Sequence, residues 1–301
     1  TGTDLPYEVE YYNNTTGQLI AWVNVDSLSS TADTAIHFYY GSSDTASTEN
    51  ASGVWDSNYA GVWHMGDSGP TTVADSTGTN NGSAVGDPTF GSTGQINSAI
   101  LFNADHIDSG TDSSLDVTEL TWALWIKRAE TTYTNERALI SNEGGGQNTA
   151  STYALQIDVG GGNQDKIQFI RHSDGTYALS DTAIQDTGWH YIAVTRNSSS
   201  NVVIYIDGAV NGGGTVAAKT AFTKTVIGAG HTAYSDFYGT LDEVRISNTN
   251  RSAQWISTSY NNQNSSATFH SQGSEVTTPA ILDANGKAMD IAGTWTSKAG
   301  S

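Results

Sequence analysis

The segment "GTLDEVRIS", residues 239–247, sets two acids, Asp242 and Glu243, and one base, Arg245, inside an otherwise apolar run. Strand alternation predicts Leu241, Glu243 and Arg245 on one face and Asp242, Val244 and Ile246 on the other. Asp242 would then share a face with apolar residues, where an unpaired carboxylate is costly. It needs a cation or several N–H donors, and Glu243 has Arg245 as a partner on its own face.

Other residues with chemical potential are scattered. Glu8 and Glu10 in "EVEYY" share a strand face, and without a third acid beside them they read as solvated. Retaining glycosidases need two carboxyls about 5–5.5 Å apart on either side of the sugar, and no acid array of that kind is legible. No Ser/His/Asp arrangement or H-E-x-x-H is legible, and "GGGNQ" and "NGGGT" lack the Lys-Ser/Thr of a phosphate loop. The seven histidines (His37, His64, His106, His172, His190, His231, His270) have no ligand spacing and read as structural. Trp122, Trp125 and Trp189 lie among apolar strand residues and read as core. Two loops differ. "HTAYSDFYG" gathers His231, Tyr234, Asp236, Phe237 and Tyr238, and "EGGGQNTASTY" gathers Glu143, Gln147, Asn148 and Tyr153. Rings beside amides and carboxylates suit polyol recognition, so Glu143, Tyr153, His231, Tyr234 and Asp236 are the candidate ligand-binding residues. The same mixture also describes a solvated loop.

The elements that must position these residues are strands. With 301 residues, 32 glycines, four prolines, no cysteine and almost no long helical periodicity, the chain reads as all-β. "LPYEVEYY", "QLIAWVNV" and "TAIHFYYG" predict a small N-terminal β-module over residues 1–54, with "NNTTG" turning between the first two. Short strand patterns then recur over residues 55–270, which predicts a two-sheet sandwich. Among them "GWHYIAVTR" and "NVVIYIDGAV" form a hairpin about "NSSS". "RSAQWISTSYNN" predicts one short helix with Ser252 as N-cap. Residues 271–301 read as a linker or the start of a further domain.

Acids outnumber bases 31 to 12, a net charge of −19, so nucleic acid is repelled and excluded as a partner. The same charge suits salty or calcium-containing surroundings, or plain solubility. Disulfides and thiolate metal sites are excluded. No apolar run reaches the roughly 20 residues that cross a bilayer, which predicts no membrane insertion. A start at Thr1 without an export signal predicts a piece of a longer chain with neighbouring domains.

In order, "GVWHM", "VADSTGTNNGSA", "SAILFN", "LTWALWIKR", "GWHYIAVTR", "VVIYIDG", "VIGAG", "GTLDEVRIS" and "RSAQWISTSYNNQ" resemble the landmarks of laminin-G-like jelly rolls of the concanavalin A-like superfamily. The resemblance covers residues 55–270 and implies an antiparallel two-sheet jelly roll. The segment before it is similar to the C-terminal half of an uncharacterised bacterial module that precedes such domains in large surface proteins. Related jelly rolls hold a structural calcium against the last strand. By that resemblance Asp242 would meet Asp75, Asn80 and the carbonyl near Gly78 in "ADSTGTNNG", a set of oxygens that suits calcium; capping of loop amides by Asp242 is the alternative. The fold serves lectins, adhesion modules and glycosidases alike. The implied function is a non-catalytic glycan-binding or adhesion module, extracellular or on a cell or virion surface, with a glycan or cell-surface receptor as partner. The alternative is a structural spacer or assembly module with no ligand.

Overall fold

The computed structural model describes residues 4–29, 31–40, 47–142, 151–230 and 235–273, and three short strands, Ile281–Leu282, Ala288–Met289 and Thr294–Ser297. The chain opens with β1 (Tyr7–Asn13), β2 (Gln18–Val23), β3 (Thr34–His37) and the helical turn α1 (Ala51–Val54). Next come β4 (Tyr59–Trp63), β5 (Thr72–Val73), β6 (Gly82–Val85), β7 (Thr89–Thr93), β8 (Ser98–Asn103) and β9 (His106–Gly110). They are followed by β10 (Leu120–Arg128), β11 (Arg137–Ser141), β12 (Tyr153–Asp158), β13 (Lys166–Arg171) and β14 (Thr176–Ala183). The last strands of the sandwich are β15 (Trp189–Arg196), β16 (Asn201–Ile206), β17 (Ala209–Thr215), β18 (Thr225–Ile227) and β19 (Tyr238–Ser247), with helix α2 (Ala253–Asn264) after them.

Strands β4 to β19 form one antiparallel ladder that folds over on itself as a jelly-roll sandwich. One layer runs β6-β9-β18-β11-β12-β13-β14 and the other β17-β16-β15-β10-β19-β8, with β4 on β19. Alternation decides what lies between them. Tyr153, Leu155 and Ile157 of β12 and Ile167 and Phe169 of β13 point inward to meet Trp122, Leu124 and Ile126 of β10. Trp122 sits edge-on to Phe169 across the layers, with ring centroids 5.6 Å apart. The predicted hairpin is present as β15–β16.

Trp125 is also buried, but on the opposite face of β10. It joins Ala123, Tyr191, Ala193 and Tyr205 in a second cluster covered by Ile256 of α2. Helix α2 covers this face because Ile256, Tyr260 and Gln263 recur at helical spacing. Its start is fixed by the Ser252 hydroxyl, which accepts the Trp255 N–H at 3.2 Å, as the sequence predicted.

The alternation predicted for β19 fails at one point. Arg245 lies opposite Ala123 and Asp242 opposite Trp125, so Glu243 and Val244 together face the single residue Leu124. This is a β-bulge, with Glu243 in the left-handed region at φ 51°. The extra residue reverses the faces. Leu241, Val244 and Ile246 all enter the main core, while Asp242 and Arg245 turn outward beside Trp125 and Ala123.

Strands β1 and β2 form a hairpin about the predicted turn. The third N-terminal strand does not join them. β3 pairs with Thr294–Ser297, which in turn pairs with His270–Gln272, in a separate three-stranded sheet.

Candidate functional site

The outward side of β11–β12–β13 carries a row of polar groups where a simple sandwich needs none. Ala154, Gln156 and Asp158 alternate with the core residues of β12, and Gln156 is paired in register with Gln168 on β13 and Ala138 on β11. Gln156 Nε2 donates to Gln168 Oε1 at 2.8 Å, and Gln168 Nε2 donates to Asp158 Oδ2 at 2.9 Å. Asp158 Oδ1 accepts the Gly160 N–H at 2.9 Å, which turns the next loop. Gln156 is only 1% exposed, yet its Oε1 has no partner among the described residues. Burial, with the nearby charge of Asp158, raises the pKa of Glu136 beside the row. Tyr177, opposite Ile170, stands exposed at its margin. The sequence offered a signal for this row: glutamines at inward-outward alternation within "YALQID" and "KIQFIR".

Of the predicted ligand-binding residues, Glu143, His231 and Tyr234 lie outside the described residues. Tyr153 is not on a binding loop. It begins β12, is fully buried against Phe169, and its hydroxyl donates to Ala217 O at 3.1 Å and accepts the Lys219 N–H at 2.9 Å. The apolar alternation of β12 begins at Tyr153 itself, which is why the ring goes inward. Asp236 is half-buried near His106 and Arg137, and burial raises its pKa. Its neighbour Phe237 is core, whereas the Tyr238 ring lies under the Arg137 guanidinium at 4.4 Å.

The four residues expected around one calcium serve two different loops. Asp75 Oδ1 accepts the N–H groups of Val62 (2.8 Å) and Thr77 (3.0 Å). Its Oδ2 accepts the Thr77 hydroxyl (2.6 Å) and the N–H groups of Thr79 (3.3 Å) and Asn80 (2.8 Å). Gly78, at φ 84°, closes the same turn, and the Asn80 amide donates to Ala60 O and Ser114 Oγ. Asp242 instead accepts the Ile96 N–H at 2.9 Å in the β7–β8 turn. The set does not fit calcium: five donors already surround the Asp75 carboxylate, and the bulge turns Asp242 toward another segment.

A second cluster of charge, buried on the outward side of β4 and β19, was missed because its members come from three distant segments. Glu8 and Glu10, which read as solvated, lie under Trp22 and Trp55 with side chains 15% and 3% exposed. His64 Nδ1 is 2.8 Å from Glu243 Oε1 and 3.7 Å from Glu10 Oε2, and its Nε2 is 3.4 Å from Glu8 Oε2. Arg245 pairs with Glu243 Oε2 at 2.6 Å, its guanidinium 4.4 Å from the Trp22 ring and 4.9 Å from the Trp55 ring. The indoles donate as well, Trp22 to Glu10 Oε2 at 2.8 Å and Trp55 to Glu8 Oε2 at 3.0 Å. Burial and the Glu243 charge push Glu10 up to about 7. Burial opposes a charged His64, but the surrounding carboxylates, Glu243 first, raise it to about 10. Asp242 is pushed well up by burial and by Glu243. The carboxylates here are roofed by two indoles and do not line an open cleft.

Comparison with known proteins agrees with this architecture. A laminin-G family model described as "Concanavalin A-like lectin/glucanases superfamily" matches residues 102–257, and a domain of unknown function, DUF2341, matches residues 1–124. No curated protein matches the chain. Among solved structures, domain 4 of AbnA, an extracellular arabinanase from Geobacillus stearothermophilus in complex with arabinotriose, is 18% identical with a TM-score of 0.51. That match covers 66% of this chain and 97% of the domain. Trypanosoma rangeli sialidase in complex with sialic acid is 14% identical with a TM-score of 0.54, over 71% of this chain and 34% of the sialidase. The receptor binding domain of botulinum neurotoxin type G is 14% identical with a TM-score of 0.50, over 69% of this chain and 52% of that domain. At these identities the likeness shows a shared fold. Among the described residues no helix is long and apolar enough to cross a membrane.

Proposed function

Since this chain belongs to the concanavalin A-like lectin/glucanases superfamily, we propose that it is a non-catalytic glycan-binding module of an exported or cell-surface protein, and that the outward face of β11–β12–β13 holds the sugar. The observation that carries this reading is the Gln156–Gln168–Asp158 row, whose Gln156 acceptor has no partner among the described residues; the row is 1–5% exposed, so a sugar reaches it only when what covers this face yields. Sugar hydroxyls both donate and accept, so convergent amides and a carboxylate on a rigid sheet match them. The arabinotriose complex and the receptor-binding toxin domain support it by analogy of fold alone. A net charge of −19 favours neutral sugars over sialylated ones.

A glycan array followed by calorimetry on the best binder tests this. Gln156→Leu should weaken binding at least tenfold, about 1.4 kcal/mol, with the far-UV spectrum unchanged. If no glycan binds, or if Gln156→Leu binds as the natural chain does, the reading is wrong and a spacer role replaces it.

A further inference from the structure

Beneath Trp22 and Trp55, the hairpin, the residue that follows β4 and strand β19 each deliver one metal-ligating group. We propose that Glu10, His64 and Glu243 form a binding site for a first-row divalent transition-metal ion, zinc being the best fit, which fastens the β1–β2 hairpin to the sandwich. The three ligand atoms all lie within 4.8 Å of one another. Zinc takes imidazole nitrogen and carboxylate oxygen at about 2.0–2.2 Å, so neighbouring ligands of a tetrahedral ion lie about 3.4 Å apart. The separations from His64 Nδ1, 2.8 Å to Glu243 and 3.7 Å to Glu10, bracket that value.

Each ligand already has the supporting partner that metal sites use to fix ligand geometry. Glu8, at 3.4 Å, takes the N–H of His64 Nε2 and leaves the Nδ1 lone pair for the ion. Arg245 holds Glu243 Oε2 and leaves Oε1. Trp22 donates to Glu10 Oε2, the oxygen 3.7 Å from His64 Nδ1, and Glu10 Oε1 is buried with no partner among the described residues, so the carboxylate keeps an oxygen free to turn to the ion. Charge points the same way. Four carboxylates, Glu8, Glu10, Asp242 and Glu243, crowd around one arginine and one imidazole. An imidazole among the ligands selects zinc and its neighbours over calcium, which takes 6–8 oxygens.

The test uses the full chain, stripped with a chelator and reloaded with zinc, cobalt or calcium. One equivalent of zinc should stay bound through gel filtration, and zinc should raise the melting temperature where calcium does not. Cobalt should give the visible absorption of a tetrahedral nitrogen and oxygen site. Glu10→Gln keeps the side-chain shape but removes a charged ligand, so it should weaken zinc binding at least tenfold, while the exposed-surface change Glu130→Gln should leave it unchanged. The proposal is overturned if the natural chain retains no zinc or if Glu10→Gln binds zinc equally well; protons on the carboxyls then balance the cluster. Should Glu10→Gln fail to fold, zinc-edge absorption on the natural chain decides. One imidazole with oxygens at about 2.0–2.2 Å supports the site, and a shell of oxygens alone, or of two or more imidazoles, refutes it.

Discussion

Trp125 on β10 donates its indole N–H to Gln263 Oε1 of helix α2 across 2.8 Å, and both side chains are buried. That bond is the polar contact at the heart of the helix–sheet cluster, where Ile256 and Tyr260 otherwise pack against Trp125 and Tyr191. Gln263→Leu would keep the apolar cover but strand the indole N–H away from water. The expected cost is about 1–3 kcal/mol. A urea titration should show the midpoint falling with the slope unchanged; a shift under about 0.5 kcal/mol would mean that packing alone seats the helix.

Much of this architecture is readable from the residues. Period-2 patterns in "LTWALWIK", "YALQID" and "WHYIAVTR" specify strands and their inward faces, and Ser252 marks the start of α2. The bulge in β19 was readable too, since the apolar residues Leu241, Val244 and Ile246 are spaced three and then two apart, which no uninterrupted strand produces. Strict alternation overrode that signal and turned Asp242 the wrong way. The cluster of Glu10, His64 and Glu243 was beyond reach for another reason. Sequence spacing reports neighbours along one element, and these three meet only once the hairpin lies on the sandwich. Even so, the E-V-E alternation of β1 beside Trp22 was a sign that this strand face is not simply wet.

Asp75 illustrates a carboxylate whose charge is balanced by N–H and O–H donors. Five of them converge on its two oxygens, from Val62, Thr77, Thr79 and Asn80. Asp75→Ala would leave several of those donors buried and unpaired. A loss above about 3 kcal/mol follows, since each unsatisfied group costs about 1–3 kcal/mol. Because the donors and not an ion hold this loop, adding millimolar calcium to the natural chain should leave its melting temperature unchanged. A calcium-dependent rise that Asp75→Ala removes would restore the calcium reading.

His190 on β15 carries a pH response of its own. Its Nδ1 is 2.8 Å from Asp207 Oδ2 and its Nε2 is 3.1 Å from Asp186 Oδ1. The hydrogen bond to Asp207 comes first among the causes that raise its pKa above the ordinary histidine value. A group whose folded pKa is raised stabilises fully below its unfolded pKa of about 6.5 and loses that contribution as pH climbs through the folded value. Stability should therefore decline from pH 6 to pH 8 by an amount that His190→Gln removes. The half-buried position keeps the effect small. Equal pH slopes for the natural chain and His190→Gln would show the pairs to be inert.

Two of the structures that share this fold belong to proteins named as an arabinanase and a sialidase, which makes catalysis worth testing. A retaining glycosidase needs two carboxyls about 5–5.5 Å apart on either side of a sugar, one of them protonated near neutral pH. Glu10, with its pKa near 7, and Glu243 come close to that electrostatic description. Access is what they lack. Glu243 is fully buried, Arg245 and His64 occupy its two oxygens, and the Trp22 and Trp55 rings cover the group where a pyranose or furanose would have to enter. The intact chain should release no reducing sugar from arabinans, β-glucans or sialylated glycans over extended incubation. Turnover that disappears in Glu10→Gln, in a protein with an unchanged melting temperature, would make the cluster an active site and would require the hairpin to swing off the sandwich to admit its substrate.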